Sequence, residues 1–80
     1  MTRVEIEYCV PCGMQDRAVD LQRAVLDEFG QRVEAVSLVT GDSGVFEVAV
    51  DGELVFDKDE DDYDVDAIVD AVGEHVSATA

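Results

Sequence analysis

Along Arg3-Val4-Glu5-Ile6-Glu7-Tyr8 the chain alternates polar and apolar, which predicts a half-buried strand over residues 3–8. Val4, Ile6 and Tyr8 then share one face and Arg3, Glu5 and Glu7 the other. Further on, Met14, Ala18, Leu21, Val25 and Phe29 recur at steps of four, three, four and four, one face of an amphipathic helix. Asp16, Asp20, Arg23 and Asp27 fall on its opposite, solvated face. The helix is expected to start at Pro11 or Cys12, because proline suits the first helical turn. It is expected to end at Phe29, with Gly30 as the left-handed residue that stops it. Val33–Val39 is rich in β-branched residues, with only Glu34 charged, and reads as a second strand, buried or nearly so. A strand, a long helix and a strand predict parallel pairing with a right-handed crossover. Thr40–Gly44 has the composition of a turn.

Alternation returns at Val45–Val50, with Phe46, Val48 and Val50 on one face, and at Glu53–Asp57, where Leu54 and Phe56 are expected inward. Asp51-Gly52 between them has the chemistry of a type I′ hairpin turn. Val65, Ile68, Val69, Val72 and Val76 form the stripe of a last helix, capped by Asp64 or Asp62, with Ser77–Ala80 expected to fray. The predicted order is β-α-β-β-β-α without repeat or linker, an α/β (α+β) chain. Its mixed four-stranded sheet under two helices makes a two-layer sandwich of minimal thioredoxin-like type. The expectation is one domain over residues 1–80, with an ordered core from about 3 to 76.

Composition changes this picture mainly through charge. Five Lys+Arg against twenty Asp+Glu give a formal net charge of −15. Such a chain is repelled by nucleic acid and by anionic membrane surfaces, so neither is expected as a partner. No apolar run approaches the roughly 18 residues of a membrane helix. Met1-Thr2-Arg3 leads straight into a strand, so no signal peptide is expected and the predicted location is cytoplasmic. Acids spread from Glu5 to Glu74, with Lys58 the single lysine, favour adaptation to concentrated salt, a halophilic cytoplasm, over one acidic face for a basic partner. Seven of the ten residues from Asp57 to Asp66 are acidic and read as a solvated loop. The loop lacks the glycine and closing glutamate of a calcium-binding loop.

The candidate chemistry lies in Tyr8-Cys9-Val10-Pro11-Cys12-Gly13, where the first strand gives way to the first helix. Two cysteines separated by two residues can close a disulfide. The unpaired N–H groups of a helix start favour the thiolate that attacks or leaves. Three blander readings compete. A structural staple gains only about 2 kcal/mol from so short a loop. Half a zinc site lacks further ligands beyond the lone His75, itself expected as an exposed surface residue. Two buried thiols could simply be small hydrophobes. The leading expectation is therefore a small thiol–disulfide oxidoreductase or redox-sensing protein cycling Cys9 and Cys12, without metal or cofactor. Its partner would be a protein or a low-molecular-weight thiol. The alternative is a non-catalytic binding module that uses an acidic face for a basic partner, or its thiols for a soft metal. Because the net charge opposes a thiolate, added salt is expected to favour its formation.

Strand–Tyr8-Cys9-x-x-Cys12–helix, then Gly44-Val45-Phe46-Glu47-Val48 and Val50-Asp51-Gly52-Glu53-Leu54-Val55-Phe56, resembles the Rdx family. This is the selenoprotein W/T/H-like group of small thioredoxin-like proteins, and the resemblance runs from about Val4 to Val76. It implies a thioredoxin-like fold and an oxidoreductase-type role for Cys9 and Cys12. In selenoprotein members the selenocysteine stands at the position matching Cys12, whereas the analogy with thioredoxin makes Cys9 the attacking residue. The loop Gly41-Asp42-Ser43-Gly44 has no proline to match the cis-proline that thioredoxins set opposite their dithiol.

Overall fold

In a computed structural model the described residues are 2–60 and 62–79, the last three by backbone alone. The elements are β1 (Arg3–Cys9), α1 (Gln15–Phe29), β2 (Ala35–Gly41), β3 (Phe46–Val50), β4 (Glu53–Asp57) and α2 (Val65–Thr79), with a short 3₁₀ turn at Gly30–Arg32. The sheet order is β2-β1-β3-β4. β1 runs parallel to β2 and antiparallel to β3, and β3 and β4 form the predicted hairpin. Asp51 and Gly52 both have positive φ, 53° and 85°, the backbone a type I′ turn requires. Both helices cover one face of this mixed sheet. Val4, Ile6, Tyr8, Phe46, Val48, Val50 and Phe56 from the strands meet Ala18, Leu21, Val25 and Phe29 of α1 and Ile68, Val72 and Val76 of α2. The α+β architecture read from the pattern is the one present.

Several boundaries differ, each for a local reason. Helix α1 starts at Gln15, not at Pro11 or Cys12, because Gly13 has φ of +74° and no right-handed helix passes through it. Gly30 does end α1 with positive φ, but the 3₁₀ turn that follows consumes Gln31 and Arg32. Val33 becomes its cap, so β2 begins at Ala35 and extends through Gly41, two residues later than expected. Nor is β2 buried: it lies at the sheet edge and is half-exposed along its length.

Leu54 also departs from expectation. The pairing of β3 with β4 slips at Val48/Ala49, so that Val48 faces Phe56 while Ala49 faces Leu54. Val55 is the extra residue of a β-bulge and reverses the alternation locally. Phe56 stays buried, Val55 turns toward the core, and Leu54 is left 51% exposed.

The Asp64 carboxylate caps α2, accepting from the N–H of Asp66 and Ala67. His75 is half-buried rather than a free surface residue. Its ring is shared between the Ala71 carbonyl and the Glu53 carboxylate, and these bonds hold its pKa above the ordinary histidine value. The fraying expected over Ser77–Ala80 concerns side chains outside the described residues, as is all of Ala80; the helix backbone runs to Thr79. The acidic stretch is not wholly a solvated loop. Tyr63 leaves it to pack edge-on against Phe46 and Phe56, with ring centroids 5.4 and 6.5 Å away. Asp61 lies outside the described residues.

Candidate functional site

Cys9 is the last residue of β1 and is held from both sides. Its N–H donates to the Val45 carbonyl (2.8 Å) ahead of β3, and the next residue, Val10, donates to the Gly41 carbonyl (3.1 Å) at the end of β2. Cys9 is fully buried, yet it stands outside the main core cluster. Strand alternation sets it on the same side of β1 as Glu5 and Glu7, away from the helices.

The chain then reverses in a four-residue turn, Val10-Pro11-Cys12-Gly13, closed by the Gly13 N–H on the Val10 carbonyl at 3.2 Å. Pro11 occupies the second turn position, which its fixed φ suits, and not the first helical turn. Cys12 is third and solvent-exposed. Cys9 and Cys12 are joined as a disulfide across a Cα–Cα distance of 5.3 Å. One sulfur therefore belongs to a clamped, buried residue and the other to an open turn. Three residues after Cys12, helix α1 begins with no side-chain cap on its first N–H groups, which leaves its positive end next to the turn.

Glycine at 41 is explained by space rather than by backbone conformation. A Cβ there would come within 2.7 Å of Val45 Cγ1 and 2.8 Å of Glu7 Oε2. The Glu7 side chain thus leans across β2 toward the residue opposite Cys9. Glu7, Glu47 and Asp57 are successive cross-strand partners and form a row of carboxylates on the open face of the sheet. Burial, then the charges of Asp57, Glu7 and Asp59, push the Glu47 carboxyl above the usual carboxylate range.

On the helix side, Tyr63 fixes the start of α1. Its hydroxyl donates to the Arg17 carbonyl (3.3 Å), and the Arg17 guanidinium lies 5.1 Å from the centre of its ring. Burial, followed by the Asp20 charge, raises the Tyr63 phenol.

His75 takes no part here. It bonds to Glu53, whose partner Val50 pairs with Val4, five residues along β1 from Cys9. At about 3.3 Å per residue that is roughly 16 Å, so neither a Cys–His pair nor a zinc site joining His75 to the cysteines forms within the described chain. Among the described residues no three His, Cys, Asp or Glu side chains gather as a metal group, and no helix is long and apolar enough to cross a membrane. The pattern of hydrophobic positions gave no sign of Gly41, Tyr63 or the Glu7–Glu47–Asp57 row. Only the last had a signal in the sequence, since outward positions of three adjacent strands hold acids.

Comparison with known proteins agrees with this fold. A protein of Bordetella parapertussis has a crystal structure that superposes with a TM-score of 0.87 at 29% identity, covering 92% of this chain and 96% of that one. A selenoprotein W-related protein of Vibrio cholerae superposes with a TM-score of 0.86 over 94% and 96% of the two chains; at 22% identity it speaks for the thioredoxin-like fold alone. Migration and invasion enhancer 1 of Bos taurus is 37% identical over 57 residues, 70% of this chain and 47% of that protein. Its Mus musculus counterpart is 38% identical over 56 residues, 69% and 46%. The chain thus spans about half the length of the curated relatives it matches. The model of the Rdx family matches residues 3–74, and the chain belongs to that family.

Proposed function

We propose that the protein is a thiol–disulfide redox protein in which Cys12 exchanges with the partner and Cys9 resolves. What carries this reading is the asymmetry of the pair: an exposed Cys12 in a turn, bonded to a Cys9 with no exposed surface. In the reductive direction the Cys12 thiolate attacks one sulfur of a partner disulfide and expels the other as thiolate. Cys9 then attacks Cys12, releases the second partner thiol and closes Cys9–Cys12. Two electrons pass to the partner, and the two protons of the dithiol end on the partner's thiols. The uncapped start of α1 favours the Cys12 thiolate, and burial of Cys9 delays its attack until a mixed disulfide has formed. The partner is a protein or low-molecular-weight disulfide, or in the reverse direction the corresponding thiol, met in a salt-rich cytoplasm.

The test is the reduction potential of the pair, measured by equilibration in dithiothreitol or glutathione buffers at molar salt. One reversible two-electron step is expected, lost in both Cys9→Ser and Cys12→Ser. Cys9→Ser is expected to trap a mixed disulfide at Cys12, and Cys12→Ser to trap none. Absence of any disulfide across the accessible range overturns the redox reading, and trapping at Cys9 alone reverses the roles.

A further inference from the structure

Charged residues make up 31% of the chain, yet two runs longer than six residues carry none: Tyr8–Gln15 and Ala35–Gly41. The first holds the disulfide and the second is strand β2, and the fold sets them side by side. β2 pairs with β1 along all seven residues and ends with Gly41 opposite Cys9.

The outer side of β2 follows from two hydrogen bonds. The Gln22 amide of α1 donates to the Val36 carbonyl (2.8 Å), so that carbonyl points away from β1. The Val10 N–H, continuing β1, donates to the Gly41 carbonyl, which therefore points inward. Backbone groups alternate along a strand, so Val36, Leu38 and Thr40 turn their N–H and C=O outward, while Ser37, Val39 and Gly41 turn to β1. Gln22 covers the edge at Val36. Past it, Leu38 and Thr40 offer two N–H and two C=O groups that no other strand of the described residues pairs.

The opposite edge is treated differently. β4 begins and ends on Glu53 and Asp57 and carries the bulge, both devices by which sheets block added strands. β2 has no charge, no proline and no bulge. The unprotected edge is the one that terminates at the disulfide.

We propose that the Leu38–Gly41 edge is the docking strip of the redox partner. An extended, uncharged segment of another polypeptide adds to β2 as a fifth strand, pairing its backbone with Leu38 and Thr40 and bringing its own disulfide to Cys12. This rests on the redox reading above. Charge selects the occupant. An added strand lies about 4.8 Å from β2, which Asp42 directly follows in the chain, on a molecule of net charge −15. Acidic side chains are repelled there, whereas uncharged ones meet Val39 and Val10, 37% and 48% exposed. In the step itself Cys12 attacks the peptide cysteine sulfur, the leaving thiolate departs, and Cys9 frees the peptide thiol as Cys9–Cys12 closes.

The test uses the reduced full chain and uncharged, β-prone hexapeptides whose cysteine carries a thiopyridyl disulfide, with thiopyridone release read by absorbance. The peptide is expected to react at least about tenfold faster than the thiopyridyl disulfide of N-acetylcysteine amide. N-methylation of the peptide amide that pairs with β2 is expected to slow it about fivefold per hydrogen bond lost. Two flanking glutamates should slow it further. Thr40→Pro, which removes one outward N–H, should lower the peptide rate and leave the small disulfide's rate unchanged. Equal rates for peptide, N-methylated peptide and small disulfide overturn the docking strip while leaving the redox function intact. No reaction with the small disulfide overturns the redox function itself. A dimer that grows with protein concentration and is lost in Thr40→Pro assigns the edge to a second copy of this chain and also overturns the proposal.

Discussion

Pro11 shows how one residue type can support two structures. Its fixed φ suits both the first turn of a helix and the second position of a β-turn. The positive φ of Gly13 decides for the turn and carries Cys12 out of the helix into solvent. The turn thus sets Cys12 apart from Cys9, which the neighbouring strands hold and bury. Glu47 illustrates the opposite relation, a local choice that costs stability. It lies directly across from Glu7 on one side and Asp57 on the other, and its carboxyl is raised above the ordinary value of 4.5, first by burial and then by these charges. With the folded-state pKa above the unfolded one, the folded chain holds the Glu47 proton more tightly. The associated stability is complete below the ordinary carboxylate pKa and is lost as pH rises through the folded value. Glu47→Gln is thus expected to raise Tm by a few degrees at neutral pH, with the gain shrinking to nothing as pH falls below about 4. Thermal melts of both proteins across this range check it; parallel curves would mean that the row of carboxylates is energetically silent.

Among the elements, β4 gives the clearest case of pairing overriding pattern. Glu53–Asp57 alternates as if Leu54 and Phe56 shared a face, but the bulge at Val55 separates them. Leu54→Thr is expected to change stability by no more than about 0.5 kcal/mol, as for other exposed positions. Phe56→Ala, which removes a ring packed against Phe46 and Tyr63, is expected to cost about 3–5 kcal/mol. Urea denaturation distinguishes the two, and comparable losses would restore Leu54 to the core. β2 was similarly obscured. A run of apolar β-branched residues reads as a buried or nearly buried strand, and only the order β2-β1-β3-β4 makes it an exposed edge.

At the scale of the whole molecule the net charge of −15 acts on every anionic step. The screening length shortens from about 10 Å at 0.1 M salt to about 3 Å at 1 M. On the redox reading proposed above, distant carboxylates then oppose a Cys12 thiolate in the reduced protein less strongly. Alkylation of the reduced protein by iodoacetamide, a neutral reagent, is expected to accelerate several-fold over that range at fixed pH. A rate that stays flat or falls would show that the net charge is not felt at the thiol.

Sequence by itself determined the element order, the inward faces of β1, α1, β3 and α2, the hairpin at Asp51-Gly52, and the closeness of Cys9 to Cys12. Each depends on residues within a few positions of one another, through periodicity or turn chemistry. Tertiary structure alone decided that Cys9 is buried and Cys12 exposed, that β2 is an open edge beside them, and that Gly41 makes room for Glu7. It also decided that Tyr63 enters the core and that His75 meets Glu53. These depend on strands and helices far apart in the chain, and on a single positive φ and a single bulged residue. Hydrophobic periodicity records which face turns inward, not what it meets there.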